Sequence, residues 1–179
     1  LDESVKKPKK YYVNNFDKTK IFFNSCIDYG ITKIIFSSTA AVYGNKLYKV
    51  KEGDKLLPKS PYAISKLMCE KFIIKRSNQK KCKYIILRCF NVAGSPKNLK
   101  TDLIAKKATH LIKKLCEFIL GKKNNFFIYG NNYPTKDGTA IRDFIHVSDL
   151  STLHILSMNY LFKSNKSQIF NCGYGKEHS

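Results

Sequence analysis

Residues 33–44 read Lys33-Ile34-Ile35-Phe36-Ser37-Ser38-Thr39-Ala40-Ala41-Val42-Tyr43-Gly44, and a polar, Lys-rich loop then leads to Ser60-Pro61-Tyr62-Ala63-Ile64-Ser65-Lys66. A short apolar run ending in hydroxyls predicts a buried strand over 33–38 that delivers Ser37 and Thr39 at its C-terminal end. Ser60 suits an N-cap and Pro61 the first helical position, so a helix over 61–77 is predicted. Tyr62 and Lys66, four residues apart, then share one helix face. Thr39, Tyr62 and Lys66 are expected to meet where a strand end faces a helix start, which is an acid–base site in outline. The Tyr-x-x-x-Lys spacing alone decides little, because chance supplies about two matches in such a chain. The chain holds two, and the other, Tyr29/Lys33, straddles Gly30, a helix C-terminal stop.

Outward from this stretch, residues 9–29 carry a helical apolar stripe between Pro8 and Gly30. Tyr84–Phe90 reads as a second, fully buried strand ending in Asn91-Val92-Ala93-Gly94. Strand, helix and strand with near-continuous apolar strands argue for an α/β fold with a parallel sheet covered on both faces. Ligands usually bind at the C-terminal ends of such strands. Beyond Gly94 the pattern predicts a helix over 103–120 and a short strand over 126–129. It then predicts a turn-rich segment over 131–139, a strand over 141–147, a helix over 150–161 capped by Ser148 or Asp149, and a last strand over 168–173.

Composition narrows the function classes. No run of 18 apolar residues is present, so no membrane span is expected, and no signal-peptide pattern opens the chain. Six scattered cysteines without a Cys-x-x-Cys pair read as free thiols of a reducing cytosol, and the chain is expected to be cytoplasmic. The histidines other than His110 lack a carboxylate or Cys cluster at metal spacing, so no metal is expected. The formal charge of +20 invites a nucleic-acid reading. The excess is nearly all Lys, however, spread along the chain, and only Arg76, Arg88 and Arg142 could form recognition forks. A solvated basic surface without a dedicated nucleic-acid site is expected.

Several collinear motifs, taken together, resemble the extended short-chain dehydrogenase/reductase superfamily and, within it, the UDP-glucose 4-epimerases. They are Glu3-Ser4-Val5, Lys7-Pro8, Tyr11-Tyr12-Val13-Asn14-Asn15, Phe36 to Gly44, Ser60 to Glu70, Leu87 to Gly94, Tyr129 to Thr135 and Asp137 to Val147. Related dehydratases place an Asp-Glu pair after the strand-end Thr; here Ala40 and Ala41 stand there and cannot expel water. The resemblance implies a Rossmann-like doubly wound sheet, with residues 1–95 as the C-terminal portion of an NAD-binding domain. It implies that 96–179 hold part of a small substrate-binding domain plus a returning helix and strand. It further implies an NAD cofactor, a UDP-sugar partner and a homodimer for the intact enzyme. Tyr62 would be the base that takes the sugar 4-hydroxyl proton, Lys66 would lower its pKa and hold the nicotinamide ribose, and Thr39 would orient the sugar. Asn14, Ser37 and Phe90 would contact the cofactor, while Asn91, Arg142, His110 and Leu111 would contact the nucleotide.

Departures from that pattern accompany it. Cys89 stands where a Tyr is common, at the sugar end of the site. Gly173-Tyr174-Gly175 is followed by Lys176-Glu177-His178 in place of a small residue and an aromatic. The glycine-rich pyrophosphate turn that opens such domains is absent from this sequence. The chain is therefore expected to be an internal portion of such an enzyme, inactive and poorly stable by itself. Two other readings stay open: an epimerase of another nucleotide sugar (UDP-glucuronate, a UDP-pentose or a UDP-N-acetylhexosamine), and a degenerate polyanion-binding protein.

Overall fold

The structure, a computed structural model, describes residues 2–46, 48–96, 110–128 and 130–179. It forms two compact units, Leu1–Phe90 with Thr152–Cys172, and Asn91–Ser151 with Gly173–Ser179.

The first unit opens with α1 (Asp2–Lys6) and α2 (Pro8–Tyr11); α2 runs through a π-helical turn (Tyr12–Asp17) into α3 (Lys18–Asp28). The helix expected over 9–29 is thus present, but with one wide turn in it. That turn tips the backbone toward a neighbouring helix, α4 (Pro61–Lys80): Asn15 Nδ2 donates to Ser65 Oγ at 3.0 Å, and Cys69 Sγ donates to the Asn15 carbonyl at 3.1 Å. Rings complete the seam, with Phe16 and Phe23 both edge-on to Phe72 and Tyr11 edge-on to Tyr62.

Between those helices in sequence lies β1 (Lys33–Thr39), and β2 (Lys83–Cys89) and β5 (Gln168–Cys172) complete a parallel sheet of order β1-β2-β5. β2 is the central strand. Ile85, Ile86 and Leu87 are almost fully buried, as a strand covered on both faces requires. Each such side chain contributes roughly 1.5–3 kcal/mol by leaving water. α4 begins as its sequence predicts: Ser60 Oγ accepts from the Ala63 N–H at 3.2 Å, Pro61 follows, and Lys81 in the left-handed region ends it.

A 3-10 turn (Ala40–Tyr43) follows β1, and Gly44 reverses the chain at φ +74°. A Cβ there would lie 2.2 Å from the Leu57 carbonyl oxygen, so only glycine lets the 44–59 loop return this closely. Leu57 N–H then donates to the Val42 carbonyl at 3.0 Å. Val42, Tyr43 and Leu67 form a small core beneath that loop, with Ala40, Val50 and Leu56 packed against it.

One charge sits inside the sheet. Arg88 is 2% exposed and forks onto Glu70 of α4, itself 1% exposed, with Nη2 to Oε2 at 2.8 Å and Nε reaching both carboxylate oxygens. Ser38 Oγ donates to Glu70 Oε1. Arg88 Nη1 donates to the Tyr43 hydroxyl at 2.8 Å and to the Glu52 carbonyl at 2.9 Å, and the Tyr43 hydroxyl donates to Asn171 Oδ1 at 2.7 Å. β1, β2, β5, α4 and the 44–59 loop are tied by this one network.

The second unit contains β3 (Asn91–Ala93), α5 (Leu111–Ile119) and β4 (Phe144–His146), with β3 and β4 paired in parallel. Of the helix expected over 103–120, residues 103–109 lie outside the described residues, and α5 ends as expected before Gly121. The strand expected over 126–129 does not form at 126–128, and Tyr129 lies outside the described residues. Its apolar side chains are used otherwise, Phe126 packing on Phe118 of α5. The strand expected over 141–147 shortens to β4, preceded by an antiparallel bridge between Arg142 and His178. α6 (Val147–Ser164) starts three residues earlier than expected, and its first turn is met by His146 Nδ1, which accepts from the Ser148 N–H at 3.2 Å. Asp149 is engaged elsewhere, accepting from the Tyr174 hydroxyl. Among the described residues no helix is long and apolar enough to cross a membrane.

Removing one member of the buried pair leaves the other charge desolvated and unpaired. Arg88→Met in the complete protein is expected to cost about 3–5 kcal/mol, and Glu70→Gln combined with Arg88→Met to recover part of that loss. Urea unfolding followed by circular dichroism measures it; an unchanged midpoint for the single variant would refute the role given to the pair.

Candidate active site

Three parallel strands end in one row. Thr39 is the register partner of Cys89, and Cys89 of Cys172. Over this row stand the first turns of α4. The Tyr62 phenol lies close enough to the Thr39 hydroxyl for Thr39 to lower its pKa, and Thr39 Oγ1 accepts from the Ala41 N–H at 3.2 Å, capping the 3-10 turn. Lys66 Nζ donates to the Ser37 carbonyl at 2.9 Å and lies 4.9 Å from the centroid of the Phe36 ring. Thr39, Tyr62 and Lys66 are thus gathered at one strand end within the first unit.

Burial governs both ionisable groups. It pushes the Tyr62 phenol above its ordinary value, against a lowering influence from Thr39, and the nearby Cys89 thiol adds to the rise. It pulls the Lys66 ammonium below its ordinary value, opposed by Cys69, Cys89 and Glu70. The expected acidification of the phenol by Lys66 is not what this site does by itself. The ammonium is turned to a strand carbonyl, and desolvation favours the neutral form of each group.

The other expected positions divide by unit. Ser37 is exposed at the end of β1, its hydroxyl 2.9 Å from His154 Nε2. Asn14 is exposed in the π-helical turn, where its neighbour Asn15 makes the bond to α4. Phe90 follows β2 half-buried, its N–H donating to the Cys172 carbonyl at 3.0 Å. In the second unit Asn91 is exposed, and its backbone N–H and its Nδ2 both donate to the Asp143 carbonyl, at 3.2 and 2.9 Å. Arg142, next to Asp143, is exposed, with Nη1 donating to the Ile141 carbonyl at 2.8 Å. The Asp143 carboxylate accepts from the N–H groups of Tyr174 and Gly175, so it is committed to backbone while the guanidinium faces outward. His110 stands at the N-cap of α5 without capping it, and Leu111 is the first residue of that helix, 51% exposed.

Sequence reasoning missed His154 and the Glu70–Arg88–Ser38 network. His154 carries no local signal, since its partner is 117 residues away. Arg88 did carry one: an Arg inside a fully apolar strand demands a buried carboxylate, and Glu70 lies one turn beyond Lys66 on the same helix.

Residues 1–173 match the family model described as the NAD dependent epimerase/dehydratase family. The chain belongs to that family. Within it, the chain is 42% identical over 177 residues to a UDP-glucose 4-epimerase of Azospirillum brasilense, covering 98% of this chain and 51% of the relative. It superposes with a TM-score of 0.95 at 33% identity on the UDP-glucose 4-epimerase of Brucella ovis solved in complex with NAD, covering 100% of this chain and 55% of that one. A UDP-Glc/GlcNAc 4-epimerase from Campylobacter jejuni gives a TM-score of 0.81 at 45% identity, with the same coverages. The chain therefore spans about half the length of the relatives it matches.

With the Thr39 hydroxyl removed, the Tyr62 phenol loses an influence that lowers its pKa. A Thr39→Val variant of the complete protein should titrate at Tyr62 at still higher pH than the parent. Carbon-13 NMR of tyrosines labelled at Cζ reads this, with Tyr62→Phe identifying the resonance; a downward or absent shift would contradict that influence.

Proposed function

We propose that the protein containing this chain is an NAD-dependent 4-epimerase that interconverts UDP-glucose and UDP-galactose. The observation that carries this reading is the approach of Tyr62 to Thr39, with Lys66 bonded to the Ser37 carbonyl, at the carboxyl ends of parallel strands. Ala40 and Ala41, which directly follow Thr39, offer no acid or base for dehydration. The relatives named UDP-glucose 4-epimerase and the Brucella ovis structure with NAD support the substrate and the cofactor.

The residues present fit the nicotinamide end of such a cofactor: an ammonium, a phenol and hydroxyls converge where α/β sheets bind ligands, and an exposed Asn14 and half-buried Phe90 belong to the same unit. Lys66, Ser37, Asn14 and Phe90 are assigned to holding it. When bound, NAD supplies a reversible hydride acceptor, which makes inversion of a secondary alcohol possible without net oxidation. Tyr62 takes the proton of the sugar 4-hydroxyl and returns it after the 4-keto sugar has presented its opposite face. Thr39, beside that phenol, orients the hydroxyl and passes its proton. Asn91 and Arg142 contact the UDP diphosphate, where a guanidinium fork suits paired phosphate oxygens, and His110 and Leu111 contact the nucleotide.

A second reading concerns the sugar. Cys89, close enough to Tyr62 to influence its phenol, is much smaller than the Tyr common at that position, and the Campylobacter jejuni relative is named for both UDP-Glc and UDP-GlcNAc. Extra room at the sugar end would admit an N-acetyl group.

The complete protein is expected to convert UDP-galactose to UDP-glucose, and Tyr62→Phe to lower that rate at least about a hundredfold. A coupled assay with UDP-glucose dehydrogenase measures it. Undiminished turnover in Tyr62→Phe would remove the assigned base, and turnover of UDP-N-acetylgalactosamine alone would favour the second reading.

A further inference from the structure

Cys89 and Cys172 are register partners at the carboxyl ends of β2 and β5. Neighbouring strands lie about 4.8 Å apart, inside the Cα separation of roughly 4.4–6.8 Å that a disulfide needs. Paired residues of adjacent strands also project from the same face, so their sulfurs share one side of the sheet. Both thiols are free; Cys172 is 1% exposed and Cys89 is half-buried.

Their chemistry is unequal. Each thiol donates to a carbonyl of its own strand, Cys89 Sγ to Leu87 at 3.6 Å and Cys172 Sγ to Phe170 at 3.7 Å. The two thiols are close enough to shift one another's acidity. The neighbouring Cys172 thiol and the Lys66 ammonium hold Cys89 below the ordinary thiol range, although burial opposes it. The adjacent Cys89 and burial push Cys172 up. The register places a second thiol directly beside Cys89, and its lowered pKa makes Cys89 the readier nucleophile of the two, an arrangement that makes a thiol both reactive and resolvable. The remaining cysteines lack it: Cys69 is buried with its thiol pushed up by burial, Cys82 is buried, and Cys26 and Cys116 are not strand partners of another thiol. The epimerisation chemistry uses no sulfur.

We propose that Cys89 and Cys172 form a redox modification site, in which a hydroperoxide oxidises Cys89 and Cys172 resolves it as a disulfide across the sheet. The Cys89 thiolate attacks the peroxide; an S–O bond forms, the O–O bond breaks, and hydroxide leaves to be protonated to water. The Cys172 sulfur then attacks the Cys89 sulfur; the S–S bond forms, the S–O bond breaks, and the departing hydroxide takes the Cys172 proton as a second water. Two thiols lose two electrons and two protons, and one hydrogen peroxide becomes two waters. The bridge would close beside Tyr62 and Lys66, because Cys89 is in electrostatic reach of both.

The complete protein is treated with one to a few equivalents of hydrogen peroxide near neutral pH, denatured, alkylated with N-ethylmaleimide and mapped by peptide mass. The expected result is a mass loss of about 2 Da, a cross-linked pair of peptides holding Cys89 and Cys172, and reversal by dithiothreitol. Oxidation should consume Cys89 at least about tenfold faster than the exposed Cys116. In a Cys172→Ser variant, dimedone should label Cys89 as the trapped sulfenic acid. Full alkylation of Cys89 and Cys172 after peroxide, prior loss of Cys116, or no dimedone adduct on Cys89 in the variant would each overturn the proposal. These readouts are independent of epimerase turnover, so a failed substrate assignment leaves them standing.

Discussion

Burying the Arg88 guanidinium inside a central strand is the constraint from which the first unit is built. Desolvating two ions costs several kcal/mol each, and the loss is recovered only when geometry is good and the remaining donors and lone pairs are met. Here they are met by five separate pieces of chain: Glu70 of α4, Ser38 of β1, Tyr43 of the 3-10 turn, the Glu52 carbonyl, and, through Tyr43, Asn171 of β5. The consequence for chemistry follows from adjacency. Ser38 immediately precedes Thr39, and Glu70 lies one turn beyond Lys66 and two beyond Tyr62 on the same helix. The ion pair therefore sets the distance between a strand end and a helix start, and the acid–base trio occupies that distance. A hydrophobic replacement could hold sheet to helix as firmly, but it would not fix direction, because only forked hydrogen bonds prescribe the angle of approach.

What local sequence revealed and what it concealed divide along the range of the interactions. The strand over Lys33–Thr39, the cap at Ser60-Pro61 and the buried strand over Lys83–Cys89 were legible because each rests on neighbours in sequence: apolar runs, a capping hydroxyl, a proline at the first helical position. The π-helical turn over Tyr12–Asp17 was not, and the contact made from it, Asn15 to Ser65 of α4, reaches fifty residues along the chain. Phe126-Phe127-Ile128 shows the opposite failure. Its β propensity is real, yet propensity expresses fit to a pleated, half-buried surface. Phe126 meets a helix ring instead. Thr39, Tyr62 and Lys66 could be nominated from local context, a strand-end hydroxyl followed by a capped helix that carries Tyr and Lys four apart, whereas the Ser37–His154 contact joins residues that no local rule connects.

The charge of the chain and the charge of its site are separate matters. A formal +20 is spread over a Lys-rich surface, where solvent and salt screen it within about 10 Å. Inside the site desolvation decides, and it drives Tyr62 and Lys66 each toward neutrality. A resting phenol that keeps its proton is no obstacle to the assigned role. A base is needed only when a substrate hydroxyl is in place, and a cationic ring beside the phenol would then favour the phenolate. The strand carbonyl of Ser37 keeps the Lys66 head group at the sheet edge meanwhile, poised to serve either a ligand hydroxyl or the phenol.

Alternation along β2 explains why one strand end supports both rigidity and reactivity. Arg88 and Cys89 are consecutive, so their side chains leave opposite faces of the sheet. The row Ser38–Arg88–Asn171 is tied by hydrogen bonds, with Ser38 and Arg88 buried, while the next row, Thr39–Cys89–Cys172, carries hydroxyl and thiols near the phenol. Rigidity in the first row holds the second in register, since a slip of one residue would exchange the two sets. Cys89 belongs to the second row, so a change at it leaves the hydrogen bonds of the first row in place. The second row can therefore change at this position while the scaffold that sets Thr39 beside Tyr62 stays as it is.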